Sequence, residues 1–307
     1  MKLEFEKRRP KEGIMVRLSS PLGMYPKEMV GDFDNAFYRD EELAFTIVRF
    51  SELPEENNYY SEVEWAHPQE IAFFASMVLA RRKGEGAVIF YPLPIVFYPI
   101  LPAEQNLSEP LLHNSLKNYI INYERQLENT IFGNIFSVVD KSILPSCFSG
   151  KKYNDSGRGF DPSLQILVKD KINPTDSLLI RGLSTLIRSD MVSRHYQFLE
   201  EAILSLFISL EASHQLVLRK LKAEGTKKPT TKDAANFIDE AFKNPYQLDR
   251  YFKEYYISRT MAVHPVNRYG CFPHAPLMVD DFYHLHEDLR EIYLYLLTGY
   301  IEKDSGP

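Results

Sequence analysis

The chain has 307 residues, 44% of them hydrophobic and 25% charged, enough for two domains with cores of their own. A formal charge of −6 excludes a generally basic nucleic-acid binder, so any contact with RNA must come from a local patch. Two cysteines, Cys147 and Cys271, exclude a disulfide-built scaffold and fit a reducing compartment.

The opening MKLEFEKRRPKEG has no apolar stretch of the kind a secretory signal needs. Met15 to Leu18 and Ala44 to Phe50 read as strands. In the second, Phe45, Ile47 and Arg49 alternate with Thr46, Val48 and Phe50. Tyr59 to Trp65 alternates again. Pro68 opens a helix with Ile71, Phe74, Ala75 and Val78 on one face, and Gly84 closes it. The most apolar stretch, Gly86 to Pro102, is shorter than a membrane span, and Pro92, Pro94 and Pro99 break it. It reads as buried strands, with the prolines suggesting edge strands or bends. A loop follows to Leu112. Leu116, Ile120, Tyr123, Leu127 and Ile131 then mark a helix. The glycine-rich SGKKYNDSGRG lacks phosphate-loop spacing and reads as a surface loop. Leu164 to Val168 reads as one last strand. Residues 1–173 therefore form a mixed α+β domain with no chemical motif.

From residue 174 to 307 the texture is that of an all-α helical bundle. Thr175 and Asp176 cap a helix through Leu179, Leu183 and Leu186. The longest helix starts at Asp190 or Ser193. Its stripe of Leu199, Ile203, Leu206, Leu210 and Val217 is broad enough for the centre of a bundle. Glu211 lies among these apolar neighbours, either on an exposed flank or as a buried carboxylate paired with an arginine. Gly225 ends the helix. Around it cluster Arg219, Lys220, Lys222, Lys227, Lys228 and Lys232, opposed only by Glu224. Such a cluster is either a solvated helix end or a contact for an RNA backbone. Thr231 to Phe242 is a short helix. A final helix, capped by Asp280 or Asp281, turns Phe282, Leu285, Leu289, Ile292, Leu296 and Tyr300 inward. Cys271, His274, His284 and His286 match no standard zinc spacing, so no metal and no cofactor is expected.

The stretch Asn244 to Pro265 carries the most chemistry. Asn244 caps a helix with Pro245 in its first position, and Leu248, Phe252, Tyr255, Met261 and Ala262 recur at helical spacing. Pro265 stops it after His264, where the helix dipole favours a protonated imidazole. On an ideal helix Arg259 and His264 stand roughly 140° apart, so they converge only if the last turn is distorted. By residues alone the pair is either a phosphate-chemistry pair or a cap beside an ordinary arginine.

Together, LFISLEASH on the long helix and YYISRTMAVHP on the later one resemble the HEPN superfamily, and within it the Apea-like group. The resemblance covers roughly residues 174–303. Its signature, Arg-x4-6-His near the end of a bundle helix, is matched by Arg259 and His264, and Leu210-Glu211-Ala212 matches the LEA-like segment. The residue after the arginine is often Asn, Asp or His in active members; here it is Thr260, which can still hydrogen-bond.

The resemblance implies a metal-independent endoribonuclease, of a kind common in prokaryotic toxin and antiviral defence systems. Arg259 and His264 would be catalytic, with Thr260, Glu211 and Arg268 supporting. Arg219, Lys220, Lys222, Lys227 and Lys228 would hold the RNA. It further implies a homodimer through the C-terminal bundle. Two other readings stand beside it. One is a non-catalytic module that binds RNA or a nucleotide, or only dimerises. The other pairs Arg259 with Glu211 inside the bundle and leaves His264 as a cap. A cytoplasmic protein with no membrane segment is expected.

Overall fold

The computed structural model describes residues 3–26, 30–52, 65–82, 87–127, 159, 161–242, 255, 259 and 279–301. The chain forms two compact units. One comprises residues 1–73 and 85–160, the other residues 74–84 and 161–307. The first is built on β-sheet and the second is helical among the described residues.

The first unit contains a five-stranded antiparallel sheet. Its strands are β2 (Gly13–Ser19), β3 (Val30–Gly31), β4 (Asn35–Arg39), β5 (Ala44–Phe50) and β6 (Pro92–Phe97), in the order β3-β4-β5-β2-β6. A two-stranded pair joins β1 (Glu4–Phe5) to β7 (Pro99–Ile100). The prolines behave as expected: β6, with Pro92 and Pro94, takes an edge of the sheet, where a missing N–H breaks no ladder, but as an edge strand it is mostly half-buried, not buried as the apolar run suggests. Asp40 makes the β4–β5 turn, its Oδ1 accepting from the amides of Glu42 and Leu43 at 2.9 Å each.

Phe45 and Ile47 pack with Leu112, Leu116 and Ile120 of helix α2 (Pro110–Leu127) in one core. Phe50, from the opposite register, meets the His67 ring at 5.3 Å. Both faces of β5 are thus buried, and its expected alternation of buried and exposed residues is nearly lost. The Tyr59 to Trp65 strand falls almost wholly outside the described residues, as does the SGKKYNDSGRG loop.

Helix α1 (Pro68–Leu79) starts in the first unit and ends in the second. At its head Glu70 is fully buried. It receives Arg17 Nε at 2.7 and 3.0 Å and the His67 amide at 3.4 Å.

The segment Leu164–Val168 is a helix, not a strand. It belongs to α3 (Pro162–Lys171) in the second unit. Asp161 caps it, accepting from the amides of Ser163 and Leu164, and Pro162 fills the first turn. That capping signal outweighs the strand-like Leu-Gln-Ile-Leu-Val run.

Four more helices follow in the second unit among the described residues: α4 (Ser177–Ser193), α5 (Leu199–Ala223), α6 (Thr231–Phe242) and α7 (Val279–Thr298). Asp176 caps α4 as expected, accepting from Leu179 N at 3.2 Å. The longest helix begins at Leu199, later than Asp190 or Ser193, which both lie inside α4. Asp190 is buried instead, 2.8 Å from His286 Nε2 on α7. Gly225, with φ +105°, follows the end of α5, an angle that favours glycine. Tyr300 is exposed, not inward, because Gly299 at φ +71° has already ended α7.

Helices α4, α5 and α7 meet at Gly182. Ser209 Oγ donates to Gly182 O at 2.9 Å, and Tyr293 Oη donates to Ser209 O at 2.8 Å. Helix α5 has the length and hydropathy of a membrane span. Its buried residues, from Ala202 to Val217, form a stripe in the bundle core.

Candidate functional site

The candidate site grows from the outer flank of α5. Leu204, Phe207, Ile208, Glu211, Ala212 and Gln215 recur at three- and four-residue steps and so share one strip of the helix. Leu178 and Arg181, three apart, present one face of α4 to the same space. Arg259 comes from the Asn244–Pro265 stretch, of which Tyr255 and Arg259 are described, both helical. These side chains line an open cavity of about 600 Å³.

Arg259 Nη2 lies 3.2 Å from Glu211 Oε2. The side chains keep 29% and 39% of their exposure. The pair expected by one sequence reading therefore forms, but it is not sealed in the bundle. It stands at the wall of a cavity open to solvent. This decides its energetic weight: water screens the attraction, and neither group carries the penalty of a buried ion.

His214 sits beside the pair, half-buried. Burial lowers its pKa below the usual imidazole value. The Glu211 carboxylate opposes that shift, and the Arg259 guanidinium adds to it. Its imidazole is thus held toward the neutral form.

The remaining sequence candidates that are described do not join the site. His264, Thr260 and Arg268 lie outside the described residues. Arg219 is half-exposed and committed: Nη1 donates to Asp176 Oδ1 at 3.1 Å and Nη2 binds the other carboxylate oxygen. This ties the end of α5 to the cap of α4. Lys220 pairs with Glu224 one turn on, at 3.3 Å. Lys222, Lys227 and Lys228 are exposed. His284 is exposed while His286 is buried, so these two histidines face different ways. Among the described residues no group of three or more His, Cys, Asp or Glu side chains is placed to share a metal ion.

Two features escaped the sequence reading. Arg181 was one more polar residue of an amphipathic helix, and only the α4–α5 packing brings it to the cavity. The i, i+3, i+4, i+7 run through Glu211 was the available signal. The second feature is Arg290 on α7, fully buried. Its Nη1 donates to Leu79 O at 3.0 Å and its Nε to Glu287, which also pairs with Arg81. It joins α7 to the end of α1 and its charge is matched locally, so its role is structural.

Comparison with protein-family models, curated proteins and solved structures finds no match to this chain.

Proposed function

We propose that the helical unit is a metal-independent endoribonuclease of the HEPN type, with Arg259 and His264 as its catalytic residues. The observation that carries the reading is the setting of Arg259. A guanidinium at the wall of an open 600 Å³ cavity, paired but solvent-accessible, suits an anion that arrives and leaves. An arginine sealed in the core would not.

The chemistry needs no metal. The RNA 2′-oxygen attacks the adjacent phosphorus, a 2′-O–P bond forms and the P–O5′ bond breaks. The products are a 2′,3′-cyclic phosphate and a free 5′-hydroxyl. His264 accepts the 2′-hydroxyl proton while water protonates the leaving 5′-oxygen, or protonates that oxygen while water takes the 2′-hydroxyl proton, since an imidazole titrates near neutrality. Arg259 grips the phosphate with two N–H donors and offsets charge that develops in the transition state. Glu211 orients the empty guanidinium and yields it to the substrate. Two copies related by a two-fold axis would bring two such pairs to one cleft, and the exposed Lys222, Lys227 and Lys228 would contact RNA phosphates elsewhere.

A second reading is a non-catalytic RNA- or nucleotide-binding module. The Glu211 carboxylate favours it, because at 3.2 Å it already neutralises Arg259. Incubating the protein with a mixed RNA pool in EDTA separates the two. The ribonuclease reading expects fragments that end in 2′,3′-cyclic phosphate. Binding without cleavage supports the module, and cleavage that appears only with added magnesium or manganese refutes this mechanism.

A further inference from the structure

At the head of α1 the sheet unit holds three hydrogen-bond donors that the fold itself does not use. The first is His67, which precedes Pro68 and caps the helix: its Nδ1 accepts from the amide of Gln69 at 3.4 Å. Burial lowers its pKa to about 4, and the Arg9 and Arg17 charges add to the shift, so the ring is neutral. A neutral imidazole that accepts at Nδ1 carries its proton on Nε2. His67 is 5% exposed, yet that N–H meets no acceptor among the described residues. A buried donor without an acceptor is costly, so an acceptor brought to it is favoured.

The second donor is Arg9, an exposed residue whose guanidinium carbon stands 5.9 Å from the centre of the Phe50 ring. It makes no ion pair among the described residues. The third is the hydroxyl of half-buried Tyr98, which has no hydrogen-bond partner among the described residues. The Tyr98 ring lies 6.0 Å from Phe50 and the His67 ring 5.3 Å, so all three donors surround one aromatic ring. The Arg9 charge acts on both His67 and Tyr98, which places it near both. Arg17, the other guanidinium here, is committed: Nε donates to Glu70 at 2.7 and 3.0 Å and Nη1 to Leu93 O at 3.2 Å. Glu70 is spent on Arg17 and the His67 amide, and does not hold Arg9.

We infer that the head of α1 binds a phosphate group, held by Arg9, the Tyr98 hydroxyl and His67 Nε2. Three donors from three separate segments suit the spread oxygens of a tetrahedral anion better than the two coplanar oxygens of a carboxylate. The positive end of α1 adds to the attraction. A cation–π contact at an exposed site is weak, so Arg9 leaves the Phe50 ring at little cost, admits the anion and closes over it. The inference concerns the sheet unit alone and does not rest on RNA cleavage.

The test is calorimetric titration of the full chain with inorganic phosphate, phenyl phosphate and acetate at constant ionic strength, with the His67 imidazole followed by NMR. The expected result is saturable binding of one phosphate per chain, at least tenfold weaker binding of acetate and a shifted His67 Nε2–H signal. Tighter binding of phenyl phosphate than of inorganic phosphate would mark the ligand as a phosphate monoester, and the reverse as the free ion; both support the site. Arg9→Gln, at an exposed position, should weaken phosphate at least tenfold, and Tyr98→Phe, which removes only the hydroxyl, at least threefold. Absence of saturable phosphate binding overturns the inference, and so does equal affinity for acetate. Phosphate that binds without moving the His67 signal sits elsewhere and overturns it too. An Arg9→Gln protein that melts like wild type and binds phosphate equally well does the same. The wild-type titrations and the His67 signal decide the matter even if a variant misfolds.

Discussion

Replacing Arg259 with alanine should remove function while leaving the fold nearly intact. Its partner Glu211 lies 3.2 Å away, and the two side chains retain 29% and 39% exposure. Exposed or half-exposed ion pairs contribute about 0.2–1 kcal/mol, because water already solvates both charges. The Glu211 left behind by Arg259→Ala can be hydrated through the open cavity. A sealed pair would behave otherwise, since stranding its carboxylate costs about 3–5 kcal/mol. For a unit of this size, about 1 kcal/mol moves the melting temperature by roughly 2–4 °C. The helical unit of Arg259→Ala should therefore melt within about 4 °C of wild type, where a sealed pair would cost on the order of 10 °C. Calorimetry on wild type, Arg259→Ala, Glu211→Gln and the double variant gives the coupling energy directly. A value under about 1 kcal/mol is expected. A value above about 3 kcal/mol would refute the open-cavity reasoning and make Arg259 a structural residue.

Gly182→Ala should destabilise the bundle by about 1–3 kcal/mol, seen as a lower urea midpoint. An added methyl carbon would stand 2.2 Å from Tyr293 Oη and 3.0 Å from Ala212 Cβ; an unchanged midpoint would show that the three helices can part at no cost. In the sheet unit, burial lowers His67 to about 4, with the Arg9 and Arg17 charges adding, whereas the unfolded chain takes up this proton near 6.5. The unfolded state thus binds more protons between those values, so His67 costs stability as pH falls from about 6.5 to about 4, up to about 3 kcal/mol. Glu70, pushed up by burial, acts in the opposite sense, so the comparison is wild type against His67→Gln at pH 7.5 and 4.5. The acid penalty should shrink in the variant, and equal losses in both proteins would count against it. The proposed homodimer should bury on the order of 1,600 Å² and appear by light scattering at micromolar concentration, where a monomer would contradict it.

Local signals in the sequence were legible where one interaction dominates. Asp176 caps α4 through a bond to its own next turn, and Gly225 follows the end of α5 with a positive φ. Pro92 and Pro94 mark an edge strand for the same reason: each effect needs only neighbouring backbone. Legibility failed where two local signals conflicted or tertiary contact decided. Leu164 to Val168 has a strand's composition, but the Asp161–Pro162 cap commits it to a helix. Asp190 reads as a helix start, yet it lies in the last turn of α4, buried where His286 meets it from α7. At the cavity, the spacing around Glu211 was visible in the sequence and its partner Arg259 was anticipated. Whether water reaches that pair was not, because exposure depends on how α4 and α5 pack. Arg181 was missed for the same reason.

The central claim is that Arg259 and His264 form a phosphate-chemistry site. It is tested most directly by RNA cleavage in EDTA with wild type, Arg259→Lys, Arg259→Ala and His264→Ala, each first shown to melt like wild type. Cleavage by wild type is expected. His264→Ala should lose about 10²–10⁴-fold through the missing proton transfer. Arg259→Lys should fail as Arg259→Ala does, because a point charge cannot reproduce a two-pronged grip. Cleavage that persists in all three folded variants, or is absent from a folded wild-type dimer, would contradict the account.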